Sequence, residues 1–193
     1  GTHIENIVSI LVYKYTRHHY LLIGSEKQIG LYRGIPNVDL LITNIPQFSL
    51  KELWAFPVKE INRCDIFYCP YINIPGRIKV PVYSTIHDVL FFDVKGLSSR
   101  WGTLLRWAFY KRAVCLSKAL FTVSEFSATR IKKHFHTNKD IHVILNGISE
   151  QIKEYNPIKE RVYDFPYYVY VGNIKKHKLK GNQKHGIFKI MRQ

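Results

Sequence analysis

His87 and Asp88 stand at the end of an apolar run, Pro81-Val82-Tyr83-Ser84-Thr85-Ile86, that reads as a strand. An imidazole at a strand end could hydrogen-bond a ligand hydroxyl or polarise a reacting centre, and the neighbouring carboxylate could orient it. The plainer reading is a packed or capping His-Asp pair. His87 is nonetheless the strongest single candidate for chemistry in the chain. Ser124 and Glu125 follow a second run, Ala119 to Val123, and open a helix. Glu125 could accept from hydroxyls, but Ser, Glu and Ser in that place first of all cap a helix. Gly1-Thr2 opens the first helix, where free N–H groups and the positive dipole end could meet a phosphate or a hydroxyl, or be capped in the ordinary way. Asn146-Gly147 and Gly172-Asn173 close two further runs, and the first of these is a turn signal in any fold.

The elements that must hold these residues alternate. Thr2-His3-Ile4-Glu5 fits a capping box. Ile4, Ile7, Val8, Leu11, Val12 and Tyr15 then recur at helical spacing and predict a buried stripe. Strands are predicted at Tyr20–Gly24, Val38–Thr43, Asp65–Cys69, Pro81–Ile86, Ala119–Val123, Ile141–Leu145 and Tyr167–Val171. Between them, Ser49-Leu50-Lys51-Glu52 reads as a second capping box opening a helix to about Arg63, with Pro57 predicting a kink. Ser98 or Ser99 caps a long helix through Trp101, Leu104, Leu105, Ala108, Cys115 and Leu116, and a basic amphipathic helix runs from Ser127 to about His136. Short continuous apolar strands alternating with helices predict a Rossmann-like, doubly wound, mainly parallel α/β sheet covered on both faces. Such a sheet binds ligands at the carboxyl ends of its strands, where His87-Asp88, Ser124, Asn146-Gly147 and Gly172-Asn173 all fall. The chain starts where a doubly wound domain would have turned from its first, central strand into its first helix.

Composition narrows the class. Across 193 residues, 29 Lys+Arg face 14 Asp+Glu, for a formal charge of +15, while 46% of residues are hydrophobic. That is ample for a core and excludes wholesale disorder. The last 19 residues, Lys175 to Gln193, hold seven basic residues and no acid. No apolar run of about 18 residues predicts a membrane span, and no signal peptide is visible. Cys64, Cys69 and Cys115 make no disulfide framework and fit a reducing cytoplasm. His18-His19 and His134-x-His136 diverge on their elements and lack a completing ligand, so no metal site is expected.

Four segments in order carry a resemblance: Ser84-Thr85-Ile86-His87-Asp88-Val89; Leu120-Phe121-Thr122-Val123-Ser124-Glu125-Phe126-Ser127; Val143-Ile144-Leu145-Asn146-Gly147-Ile148; and Tyr168-Val169-Tyr170-Val171-Gly172-Asn173 with Lys176-His177-Lys178. Through them the chain resembles glycosyltransferases of the two-Rossmann-domain (GT-B) architecture, group 1, also called family 4, over roughly residues 1–178. The resemblance implies transfer of a sugar, with retention, from a nucleotide-sugar donor to a saccharide or lipid-linked acceptor, without cofactor or metal. It implies His87 as the catalytic residue close to the donor sugar, Gly1, Thr2, Asp88, Ser124 and Glu125 as substrate contacts, and Gly172, Asn173 and Lys178 as donor-phosphate contacts. On this reading residues 1–148 form an acceptor-side domain lacking its first strand. Residues 149–166 form a linker, 167–174 the first strand of a donor domain, and 175–193 a basic irregular tail.

On this reading the rest of the family's second domain is expected to be missing beyond that strand. The expectation is a truncated copy, such as a frameshift would leave, with little transfer activity of its own. The alternative is a basic module for nucleic acid or anionic surfaces, supported by the charge, by Arg130, Lys132 and Lys133, and by the tail. No helix-turn-helix or zinc-finger pattern supports specific nucleic-acid recognition. The expected location is the cytoplasm, with the basic charge also suited to peripheral attachment at the anionic inner face of a membrane.

Overall fold

Parallel strands need crossover connections, and the alternation of apolar runs with helices supplies them. A computed structural model describes residues 2–46, 49–94 and 96–147. The predicted seventh strand, the linker and the basic tail lie outside the described residues. So do Gly1, Gly172, Asn173 and Lys178.

Helix α1 (Thr2–Lys14) leads into β1 (Tyr20–Gly24), a short α2 (Glu26–Ile29), a single 3-10 turn, and β2 (Val38–Ile42). β1 and β2 pair in parallel, Tyr20 opposite Val38 and Gly24 opposite Ile42. Two short helices follow, α3 (Glu52–Ala55) and α4 (Val58–Ile61), then β3 (Phe67–Cys69) and β4 (Val82–Thr85). After α5 (Leu90–Asp93) comes the long α6 (Arg100–Leu116), which runs directly into β5 (Ser117–Thr122). α7 (Glu125–Phe135) and β6 (Ile141–Val143) complete the order. β3, β4, β5 and β6 form one parallel sheet in sequence order, and β1–β2 a separate one.

The α/β parallel expectation is met, in two sheets rather than one. Three local readings are corrected. The helix read from Ser49 to Arg63 is two pieces, because Pro57 breaks it and Phe56 turns extended between them. Its capping box does not form: Lys51 is the N-cap and makes no side-chain cap, while Glu52 turns inward to other partners. The stripe on α1 is fully buried only at Val12, and Tyr15 lies beyond the helix and exposed. α1 is tied to the chain around β1 and β2, where Tyr32 bonds Ser9 at 3.0 Å and Asn37 donates to the Val12 carbonyl.

The core sits under the four-stranded sheet. Ile86, Val89, Val114, Leu120, Ile131 and Phe135 form one buried cluster, and Cys69, Ile74, Val82 and Ala113 a second. α6 and α7 lock each other at their ends. Lys111 of α6 donates to the Phe135 carbonyl at 2.8 Å, and Lys139 donates to the carbonyls of Val114, Cys115 and Ser117 where α6 ends. Cations at helix carboxyl ends satisfy orphan carbonyls and favour the dipole.

Candidate functional site at the carboxyl ends of β4 and β5

Hydroxyl side chains inside apolar strands stitch the ends of β4 and β5 together. Thr122 Oγ1 donates to the Ile86 carbonyl at 2.7 Å, and the Ile86 N–H donates to the Phe121 carbonyl at 2.8 Å. One residue on, the Ser127 hydroxyl donates to the His87 carbonyl at 3.0 Å. Ser124 is the N-cap of α7, its hydroxyl accepting from the Ser127 N–H at 3.1 Å and donating to the Ser127 hydroxyl at 3.1 Å. The chain from Ser124 through Ser127 to His87 fixes the loop after β4 against the amino end of α7. Of the residues singled out from sequence, His87, Asp88, Ser124 and Glu125 are thereby brought to one edge.

His87, Asp88 and Glu125 are exposed there, above buried Ile86 and Val89. Asp88 is committed to the backbone: its Oδ1 accepts from the Leu90 N–H at 3.1 Å, the local turn that Asp favours. Its charge is also felt on α6. Burial, aided by Asp88 nearby, pushes the Tyr110 phenol up to about 12. The capping role of Ser124 is thus realised, as the geometry of Ser-Glu-Phe-Ser allows. Thr2 is the first residue of α1, which packs on the other sheet.

Sequence reasoning missed the supports of this edge. Tyr68 on β3 meets Thr85 of β4 at 2.7 Å, and burial raises its phenol. Ser84 and Ser117 share a buried 2.7 Å bond. The signal was present as hydroxyls interrupting otherwise apolar strands. Behind the sheet, Glu52 is 2% exposed and accepts from Tyr71 at 2.5 Å and from Asn73. Burial and that bond hold the Tyr71 phenol far above its usual value, and burial pushes the Cys69 thiol up to about 12. Arg112 donates to the carbonyls of Ile74 and Pro75, so the turn after β3 is held from two sides. Asp93 accepts from Arg130 and, at 2.7 Å, from His134, tying α5 to α7; the Arg130 bond holds its carboxyl below the usual range. The i, i+4 pair Arg130 and His134 was legible, but its partner was one acid in an acid-poor stretch.

Among the described residues no group of three or more His, Cys, Asp or Glu is placed to hold a metal ion. An open hollow lined by Val12, Thr16, Arg17, His18 and Asn37 lies at the amino ends of β1 and β2. That is the wrong edge for the ligand crevice of a parallel sheet.

The model of the family described as Glycosyltransferase Family 4 matches residues 13–151, well over half of the chain. No curated protein and no solved structure matches it.

Proposed function

The chain belongs to glycosyltransferase family 4, and from that premise we propose that it serves a retaining transfer of sugar from a nucleotide-sugar to a saccharide or lipid-linked acceptor. In that reaction the bond from the sugar carbon to the diphosphate is replaced, on the same face, by a bond to an acceptor oxygen. The observation that carries the reading is the single edge at which His87, Asp88, Ser124 and Glu125 stand, tied by the Ser127 bond to the His87 carbonyl. His87 is proposed as the catalytic residue, hydrogen-bonding the donor sugar near its reacting carbon. Asp88 holds the loop through the Leu90 N–H and adds negative charge beside it. Glu125, at the first turn of α7, is proposed to accept from acceptor hydroxyls, and Ser124 sets the direction of that helix.

Gly1 and Thr2 are proposed as further substrate contacts, and Gly172, Asn173 and Lys178 as donor-phosphate contacts. A glycine lets backbone approach a diphosphate, and a lysine neutralises it as it leaves. The residues proposed need no metal or other cofactor. Residues 1–148 are proposed as the acceptor-side domain and 167–174 as the opening strand of the donor side, in a protein working at the cytoplasmic face of a membrane.

Calorimetric titration of the full chain with a panel of nucleotide-sugars and short lipid-linked saccharides tests the reading. The expected result is saturable binding that His87→Ala weakens about tenfold or more, the size of a lost hydrogen bond to a charged or strongly polar ligand. Binding of such ligands with full affinity by His87→Ala and by Glu125→Gln would remove both residues from the site.

A further inference from the structure

The break at Pro57 that splits α3 from α4 leaves a hollow of about 270 Å³ between those helices and the chain that leads into β4. Trp54, Phe56, Lys59, Glu60, Gly76 and Arg77 are in its lining. One wall holds a strained residue. Arg77 has φ 62°, the left-handed region that a non-glycine residue seldom adopts. Asn62 fixes it there. Its Nδ2 donates to the Arg77 carbonyl at 3.1 Å, and its Oδ1 accepts from the Lys79 N–H at 2.7 Å, so one side chain clips the turn on both sides of Ile78. Just before the turn, the Gly76 N–H donates to the Leu53 carbonyl at 2.8 Å. A Cβ on Gly76 would stand 2.8 Å from that same oxygen, so a side chain there would collide with it.

The fold makes no visible use of the arginine so held. Its side chain is exposed, and among the described residues its guanidinium has no carboxylate partner and lies over no ring. Strain kept at an exposed, unpaired group points to a ligand. The neighbours indicate its chemistry. Lys59 is a second exposed cation with no acid partner among the described residues, and with Arg77 it outweighs Glu60, the one acid of the lining. Trp54 is 62% exposed and Phe56 is half-buried, so the hollow also offers a flat apolar face. A forked guanidinium suits phosphate, an exposed indole takes a base by stacking, and a carboxylate accepts from ribose hydroxyls. The volume is at the small end for a ligand pocket, so it suits one nucleotide rather than a folded partner. Asn62 and Arg77 stand ahead of β3 and β4 in the chain, so the hollow lies toward the amino ends of those strands, away from His87.

We propose that this hollow binds a nucleoside phosphate, with the base on Trp54 and the phosphate on Arg77 and Lys59, as an accessory site apart from the carboxyl edge of β4 and β5. The binding does not depend on the transferase reading above.

Calorimetric titration of the full chain with uridine monophosphate, adenosine monophosphate, uridine and inorganic phosphate tests it, with tryptophan emission read in parallel. The expected result is saturable binding of both nucleotides, with uridine and phosphate each weaker by about tenfold or more, because each lacks half of the contacts. Arg77→Gly should lower nucleotide affinity about tenfold or more, by removing the charged donor. Its thermal unfolding midpoint should be retained or raised, since glycine adopts the left-handed turn freely. A part played by Arg77 in the fold alone would not separate the two readouts in this way. Trp54→Ala, at an exposed position, should weaken binding severalfold and abolish the emission change. Lys178→Gln, at the proposed donor-phosphate contact, should bind both nucleotides as the unaltered chain does. Binding lost in Lys178→Gln but kept in Arg77→Gly overturns the proposal and returns the nucleotide to the donor side. So do inorganic phosphate bound as tightly as the nucleotides, no saturable nucleotide binding, a clear fall of the unfolding midpoint in Arg77→Gly, and a single-stranded oligonucleotide bound far more tightly than either monomer.

Discussion

Residues 2–46 and residues 49–147 are made of the same parts, parallel strands with helices laid on them, yet they bury those parts very differently. Of the fourteen buried apolar side chains among the described residues, only Val12 and Tyr32 lie in the first region. β1 reads Tyr-Leu-Leu-Ile-Gly, as apolar as any strand in the chain, and each of its residues is only half-buried. β5, with two polar residues at its ends and a lysine within, buries Ser117, Leu120 and Thr122 completely. The difference is in the neighbours. Among the described residues β1 pairs with β2 alone, whereas β5 lies between β4 and β6 and under two long helices. Burial follows the number of partners an element has, and hydrophobicity supplies only the incentive. The candidate site stands on the better-built region, where the backbone at Ile86 and His87 is fixed by Thr122 and Ser127.

The largest test of this contrast is a pair of core truncations. Phe135 stacks on Tyr110 at 5.8 Å and meets Phe92 edge-on at 5.6 Å, with no exposed surface. Phe135→Ala should cost roughly 3–5 kcal/mol in urea unfolding. Val12→Ala should cost about 1.5 kcal/mol, the transfer free energy of two methyl-sized groups. Equal costs would break the comparison.

Next in size is Glu52. Glu52→Gln places an amide against the Asn73 amide and leaves a buried donor without an acceptor, a loss of about 1–3 kcal/mol. Because the cluster holds the turn after β3, the loss should appear as faster hydrogen exchange in residues 70–76 while 20–42 is unaltered. An unchanged melting curve would show that the buried acid is not needed there.

Smallest is Asp93, whose ion pairs are a fifth to a quarter exposed and screened by solvent. Its carboxyl is depressed in the fold, so the stabilisation is fully present above the unfolded value of about 3.9 and is lost as pH falls through the folded value. Asp93→Asn should flatten the acid limb of the stability–pH curve below about pH 4. An identical acid limb in the variant would show that Asp93 gains nothing from Arg130 and His134.

The sequence was legible where one local rule acted alone. The apolar runs located all six described strands: β1 has the expected bounds, β2, β3, β4 and β6 are shorter than expected, and β5 begins two residues earlier, at Ser117, and ends one earlier, at Thr122. Ser99 caps α6 through the Gly102 N–H at 3.1 Å, as one of the two serines was expected to do. His87, Asp88, Ser124 and Glu125 fall at strand ends because the doubly wound pattern puts them there. Legibility failed where two rules competed. Ser49 and Glu52 have capping-box spacing, but Tyr71 and Asn73, distant in sequence, draw Glu52 into the interior. The apolar positions of α6 have helical spacing, but spacing alone does not say which face meets the core. Trp101, Leu104 and Leu105 turned out to be the outer one.

The central claim is that ligand is met at the carboxyl ends of β4 and β5 and not on the β1–β2 layer. Hydrogen exchange of the full chain, with and without a nucleotide-sugar and a lipid-linked saccharide, measures this directly. The account predicts slower exchange on ligand addition in residues 86–90 and 122–128, with 20–42 unaffected. Protection confined to 20–42, with 86–90 and 122–128 unchanged, would contradict it.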